Sequence, residues 1–120
     1  GSDELTITIF TPDERLRELL AEVDERLVVC GHTHLQFDRA VDGIRVVNAG
    51  SVGAPYEAEP AAYWALLDRD VELRRTDYDV EGALAEIAAS GYPRAGEVSE
   101  FLLPDPERPE RLSALIEGLP

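Results

Sequence analysis

Two β-hairpin patterns follow an amphipathic helix and a short apolar run in the first 78 residues, and this order leaves few folds open. One hairpin is predicted over residues 36–48, because alternating strand residues flank Asp42-Gly43, a dipeptide typical of tight two-residue turns. The second is predicted over residues 62–78. Hairpins that come after a helix and a strand indicate an antiparallel sheet joined to an α/β unit.

The segment before the hairpins predicts a strand, a helix and a second strand. Residues 5–10 alternate apolar and polar side chains, which is typical of a strand with one buried face. Thr11 is a predicted helix cap, and apolar residues at helical spacing continue to residue 27. The continuous apolar run at 27–30 predicts a fully buried strand in a sheet covered on both faces.

The remaining residues have the character of helices. Asp79 can cap a helix over 80–90, a short helix is predicted over 97–103, and a last one over 109–117. Gly118 follows that last helix, as glycine often does at a helix end. The whole pattern predicts an α/β fold in which strands and hairpins are followed by C-terminal helices.

Charge and composition exclude several classes of function. The chain has 25 acidic and 11 basic residues, a formal net charge of −14. Such a surface repels nucleic-acid phosphates and anionic membranes, so we expect it to bind neither. One cysteine allows no internal disulfide and fits a reducing compartment, and no apolar run is long enough for a membrane span. We therefore expect a cytoplasmic protein.

The two histidines of the chain lie together in Gly31-His32-Thr33-His34, directly after the predicted strand at 27–30. Ligands of α/β proteins usually bind at strand ends, and residues i and i+2 of an extended segment project to one side. Neutral imidazole binds zinc, manganese, iron or nickel, so the pair indicates a metal site. Two donors do not complete such a site. Exposed or hydrogen-bonded histidines are the alternative interpretation at this point.

The stretch from residue 27 to residue 68 resembles the C-terminal half of calcineurin-like metallophosphoesterases, and most of all their small bacterial branch. Two motifs carry the resemblance: Gly-His-Thr-His at 31–34, and Asn-Ala-Gly-Ser-Val-Gly at 48–53 after the hairpin. The resemblance implies part of a four-layer α/β sandwich, of α+β character in a chain of this extent. It also implies a dinuclear centre that hydrolyses phosphate mono- or diesters, with His32 on one metal ion and His34 on the other.

The resemblance further implies two divalent cofactor ions, of manganese, zinc, iron or nickel, and a phosphorylated small molecule as substrate. Four residues of the two motifs are then expected near the substrate: Gly31, Asn48, Gly50 and Ser51.

The other motifs of that family, which include Asp-x-His, Gly-Asp, Gly-Asn-His and a further lone histidine, do not occur in this sequence. We therefore predict that residues 3–78 are the C-terminal part of the sandwich and that residues 79–120 are a helical extension of the same domain. Residues 1–2 match the remnant of a cleaved expression tag, and the sequence contains no methionine. No complete catalytic set is expected in the chain, so it is predicted to be inactive alone.

The missing metal ligands would come from an absent N-terminal half or from another chain. Candidate replacements within the chain are Asp38, Asp42, Glu57 and Glu59. A rival hypothesis is a catalytically dead interaction module of the same fold, whose exposed strand edges would pair with another protein or form a homo-oligomer. Cys30 is interpreted as a buried strand residue rather than a ligand.

Overall fold

The computed structural model describes residues 6–120, and in that part of the chain it contains five strands in two sheets and four helices. The mixed α/β class predicted from the sequence is therefore confirmed. In chain order the elements are α1 (Asp13–Leu19), β1 (Leu27–Cys30), β2 (Phe37–Val41), β3 (Ile44–Asn48), β4 (Ala62–Leu67), β5 (Val71–Thr76), α2 (Val80–Ala89), α3 (Ala95–Glu100) and α4 (Arg108–Glu117).

The first sheet has the strand order β1-β3-β2, with β1 parallel to β3 and β2 antiparallel to β3. The predicted hairpin joins β2 and β3. Its turn places Asp42 at φ +49° and Gly43 at φ +81°, the left-handed pair that a two-residue turn of type I′ requires. The parallel pairing brings Cys30, at the end of β1, beside Asn48, at the end of β3. The two sequence motifs therefore start at the carboxyl ends of two neighbouring strands of one sheet.

One face of this sheet packs on α1. Leu16 and Leu20 of the helix segment form a buried apolar cluster with three strand residues, and half-buried side chains such as Cys30 pack against it. The strand residues of this cluster are Phe37, Val41 and Val46. Burial of these side chains is the main stabilising contribution on this side of the sheet.

The second sheet is the antiparallel hairpin β4–β5, as predicted, and its turn meets the face of the first sheet opposite α1 through the Arg45–Asp70 pair. Val47, which projects from β3 to that face, is fully buried. Arg45, two residues earlier, pairs with Asp38 of β2 at 2.7 Å and with Asp70 of the β4–β5 turn at 2.6 Å. The arginine thus ties the hairpin to the first sheet.

The predicted strand at 5–10 is wrong for residues 6–10, and Leu5 lies outside the described residues. Threonine side chains take the backbone groups that a strand would offer to a neighbour. The Thr8 N–H donates to the Thr11 hydroxyl, and the Phe10 N–H donates to the Thr8 hydroxyl. Local bonds of this kind compete with sheet formation.

Two further predictions need correction. The helix expected up to residue 27 ends at Leu19, and the Thr11 side chain is not its cap. Val23 nevertheless packs on the core, because the turn after the helix keeps the apolar spacing. The strand β1 is not buried on both faces, since Leu27 is 41% exposed and Val29 is 42% exposed.

The helical C-terminal residues follow the predicted order. The Asp79 carboxylate accepts the Gly82 N–H and caps α2, and Gly118 ends α4 in a left-handed conformation. The helix α3 begins two residues earlier than predicted and ends at Glu100. Within residues 6–120, no helix combines the length and the apolar character needed to cross a bilayer.

Candidate metal centre

The segment Gly31–His34 leaves β1 through an unusual turn. The Thr33 N–H donates to the Gly31 carbonyl oxygen at 2.9 Å, and His32 between them has φ +72°. This bond and this angle are typical of the classic γ-turn, which is rare and strained. His34 is also left-handed, at φ +56°. The extended backbone assumed from the sequence is therefore wrong, and convergence of the two rings stays a prediction.

Asn48, at the end of β3, stabilises this turn through side-chain hydrogen bonds. Its fully buried side-chain amide donates to the Gly31 carbonyl oxygen at 3.1 Å and to the Thr33 hydroxyl oxygen at 2.9 Å. Its amide oxygen accepts the Gly50 N–H at 2.8 Å. The Thr33 hydroxyl in turn donates to the Ile7 carbonyl oxygen. One side chain thus links both sequence motifs.

The His34 imidazole is fixed by the loop after β3. Its Nδ1 lies 3.0 Å from the Ala54 carbonyl oxygen. A carbonyl oxygen only accepts, so Nδ1 is the nitrogen that donates here, and in the neutral ring Nε2 is the nitrogen with the lone pair. Metal-binding histidines show this arrangement, with one ring nitrogen on a backbone carbonyl and the other on the ion. The backbone repeats the contact, because the Tyr56 N–H donates to the His34 carbonyl oxygen at 2.9 Å.

Glu57 adds a further bond between the same two segments. Its Oε1 accepts the Gln36 N–H at 2.8 Å, while its Oε2 is buried without a hydrogen-bond partner among the described residues. Burial raises the pKa of the Glu57 carboxyl, and the opposing hydrogen bond to the Gln36 N–H does not cancel this effect. Gly50 lies close by, and a side chain there would meet the Gln36 side chain at 2.8 Å.

The residues present fit part of a metal centre. His34 offers a free Nε2 on an oriented ring, and His32 is exposed at the strand end. Residues 6–120 contain no group of three or more histidine, cysteine or acidic side chains that could hold an ion. A complete coordination sphere of four or more donors would need ligands from elsewhere.

The structure places none of the four acidic replacements suggested by the sequence in a metal-binding group with the histidines, among residues 6–120. Asp38 is paired with Arg45, and Asp42, in the β2–β3 turn, is paired with Arg17. Glu59 is exposed. Glu57 alone of the four is bonded to the segment that follows His34.

Residues predicted to lie near the substrate make hydrogen bonds that stabilise the loops after β1 and β3. The Ser51 hydroxyl accepts the Ala54 N–H, and Gly50 adopts φ +83°. Asn48 uses both its amide nitrogen and its amide oxygen within the frame. Contact of these residues, and of Gly31, with a substrate stays a prediction. Cys30 lies in a strand, as interpreted, but is half buried rather than buried, and this burial raises the pKa of its thiol.

Sequence reasoning did not predict the contacts that support the His34 ring. Ala54 acts through its carbonyl oxygen, which no side-chain pattern reveals. The Tyr56 ring lies 5.0 Å from the His34 ring and 5.8 Å from the Phe101 ring. The charged side chain of Arg108 is buried beneath the same loop. The glycine-rich loop indicated only that the chain turns near residues 50–55.

Comparisons with known proteins found a matching family model and several similar solved structures. Residues 2–71 match the family model described as the calcineurin-like phosphoesterase superfamily domain. No curated protein sequence matches the chain.

Among solved structures, a hypothetical protein from Pyrococcus horikoshii OT3 is 24% identical with a TM-score of 0.67. The match covers 82% of this chain and 40% of that protein, so the chain spans two fifths of its length. Vps29 from Entamoeba histolytica, in a zinc complex, is 23% identical with a TM-score of 0.37, over 55% of this chain and 47% of that one.

Proposed function

Because the chain belongs to the calcineurin-like phosphoesterase superfamily, we propose that it is the C-terminal part of a metal-dependent hydrolase of phosphate mono- or diesters. In this proposal residues 3–78 belong to the sandwich and residues 79–120 extend the same domain. His32 and His34 bind one divalent ion each, of manganese, zinc, iron or nickel. The substrate is a phosphorylated small molecule, and the protein works in the cytoplasm.

The observation that carries the proposal is the state of His34. Its Nδ1 is bonded to the Ala54 carbonyl oxygen, which orients the ring and leaves Nε2, in the neutral form, as the nitrogen that can bind an ion near the end of β1. The left-handed backbone at His32 and at His34 supports the same interpretation. Such backbone costs stability, of order 1–3 kcal/mol for each residue, and strained residues of this kind cluster at functional sites.

The chain's own contribution would be to hold and orient two donors. What divalent ions supply when bound is neutralisation of the charge on the phosphoryl oxygens. The Asn48 side chain fixes the backbone of the turn, and the loop from Ala54 to Glu57 fixes the ring of His34. With two donors the chain alone binds ions weakly and does not hydrolyse phosphate esters.

Metal titration of the full chain tests the proposal. We expect weak zinc and manganese binding by isothermal titration calorimetry, and no hydrolysis of p-nitrophenyl phosphate or of bis-p-nitrophenyl phosphate. The double variant His32→Ala with His34→Ala should lose the binding. It is the matched control for adventitious ions, because it keeps the formal net charge of −14 that attracts any cation.

Two outcomes would contradict the proposal. Equal binding by the wild type and the double variant would remove the histidines as ligands. Metal-dependent turnover that is lost in His32→Ala would mean that the other ligands lie within the chain, against the expected inactivity.

A second candidate function is an interaction module without catalysis, and a specific surface favours it. The open edge strand β1 exposes Leu27 and Val29, and on β4 Leu67 is 59% exposed. Among residues 6–120, β1 has a neighbouring strand on one side only. Apolar side chains beside an unpaired strand edge are suited to strand addition by another polypeptide. The absent N-terminal half, another protein or a second copy could supply that strand.

Light scattering after size exclusion distinguishes the polypeptides that could pair with β1. A dimer that becomes a monomer in Val29→Lys would support pairing between copies, and the exposed Val52→Lys is the matched control in a loop. A metal-free monomer that gains zinc affinity only when the preceding part of its gene is co-expressed would instead support the enzyme.

A further inference from the structure

We propose that the C-terminal helices belong to the candidate metal centre, because Arg108 and Phe101 position the His34 imidazole. The inference rests on the proposed function in one respect, that His34 is a metal ligand. It concerns residues 79–120, which lie beyond the residues 2–71 that match the family model. The proposed function by itself gives these helices no role.

Arg108 fastens α4 to the loop that holds His34. Its side chain is buried, with the whole residue only 4% exposed, and it donates to three backbone carbonyl oxygens. These acceptors are Glu57 at 3.2 Å, Glu100 at 2.7 Å and Leu103 at 2.6 Å. A buried guanidinium is stable only when its donors are satisfied in this way. The first bond reaches the loop, and the other two reach the end of α3.

A backbone bond runs beside the arginine. The Asp105 N–H donates to the Ala58 carbonyl oxygen at 2.8 Å. The start of α4 and the connection before it are therefore attached to the loop at two successive residues, 57 and 58. The same loop carries the Ala54 carbonyl oxygen, which binds His34 Nδ1. Movement of α4 would be transmitted to that oxygen through four residues of chain.

A column of aromatic rings makes a second connection. The Phe101 ring, directly after α3, stacks on the Tyr56 ring with centroids 5.8 Å apart and an interplanar angle of 13°. The Tyr56 ring lies 5.0 Å from the His34 ring at 53°. Such ring pairs prefer defined offsets, so the position of Phe101 limits the tilt of the imidazole. The polar and the aromatic connections start from the same helical segment.

The tautomer of His34 in the metal-free full chain tests the inference. Long-range ¹H–¹⁵N correlations at pH 8 should show His34 protonated at Nδ1 in the wild type. In Phe101→Ala and in Arg108→Met we expect a shift towards the Nε2–H form, which an unconstrained histidine prefers. Zinc affinity should fall about tenfold, the lower end of the effect of losing a partner that orients a ligand.

Two matched controls accompany these variants. Phe101→Tyr keeps the stacked ring, and Arg111→Met removes a neighbouring arginine of α4 that pairs with Asp105. Both should keep the wild-type tautomer and affinity. Backbone amide signals of Val46 and Val47, in the buried centre of the first sheet, report whether the sandwich is intact.

An unchanged His34 tautomer in both test variants would overturn the inference. Loss of the Val46 and Val47 signals in Phe101→Ala would overturn it too, because the helices would then support the whole sandwich rather than His34. A shifted tautomer in a chain whose wild type binds no zinc would leave the positioning intact and contradict the proposed function alone.

Discussion

Asn48 is the residue on which both motifs of the chain converge. Its side chain makes hydrogen bonds to Gly31, Thr33 and Gly50, and none of it is exposed to solvent. It therefore acts as a frame for the turn that carries the histidines. Its position at the start of the second motif does not predict this role, because the spacing of a motif does not reveal which side chain is buried.

Replacing Asn48 should weaken the whole fold. Asn48→Ala leaves the Gly50 N–H without its acceptor and creates a small cavity, so we expect the free energy of unfolding to fall by roughly 2–4 kcal/mol. Urea denaturation followed by circular dichroism measures this change.

Ser51→Ala is the graded comparison for Asn48→Ala. It removes one acceptor, for the Ala54 N–H, and should lower the free energy of unfolding by about 1 kcal/mol. Equal effects of the two variants would contradict the role of Asn48 as a frame.

The β2–β3 hairpin was predictable as an element because its turn chemistry is local. Asp42-Gly43 alone specifies the left-handed pair that joins the two strands. The Asp79 cap and the Gly118 end are local in the same sense. The strand expected at 5–10 failed because Thr8 and Thr11 bond to each other's backbone, and alternation of apolar residues does not record that competition.

The turn itself supplies a prediction. Gly43 has φ +81°, and an added methyl group would meet no atom within 4 Å, so any cost of Gly43→Ala is conformational. We expect a loss of about 1 kcal/mol in the free energy of unfolding. Gly53→Ala is the control, because that position is equally open and is not left-handed. Equal melting temperatures of the two variants would contradict the argument.

The two ion pairs of Arg45, with Asp38 and with Asp70, should make stability depend on pH. The hydrogen bond from Arg45 holds the pKa of Asp38 below its ordinary value of 3.8. The Val71 N–H and then Arg45 do the same for the pKa of Asp70. A carboxyl whose pKa is lower in the folded state adds stability above its unfolded pKa and loses it as the pH falls through the folded value.

The wild type should therefore lose stability as the pH falls below about 4, the ordinary range for aspartate. Arg45→Met should be less stable at pH 7 and should show a weaker decline between pH 4 and pH 2. Chemical denaturation at a series of pH values gives both slopes. Parallel slopes would mean that Arg45 is not responsible for the decline.

At the level of the whole molecule, the helix α4 joins segments that are far apart in the sequence. The hydroxyls of Thr8 and Thr11 both donate to Glu117 Oε1 at the end of this helix. Arg108, at its start, bonds to the loop beneath His34. No sequence pattern predicts either contact. Arg108 binds a backbone oxygen and Glu117 binds threonines, and each partner is 51 or more residues away in the sequence.

Amide hydrogen exchange should detect the contact of Glu117 with Thr8 and Thr11. In Glu117→Ala we expect faster exchange at residues 8–11 and in the last turn of α4, while Val46 and Val47 keep their protection. Glu110→Ala removes an exposed acid of the same helix and should change none of these rates. Uniformly faster exchange would instead indicate that Glu117 supports the global fold.

The strained turn at His32 has a practical consequence for protein engineering. Glycine adopts φ +72° without the steric penalty that a side chain brings, so His32→Gly would relax the backbone. A library ranked only by resistance to heat would enrich such replacements and discard the imidazole first. Anyone optimising this chain by directed evolution would need to hold positions 32 and 34 constant, or screen for ion capture in every round.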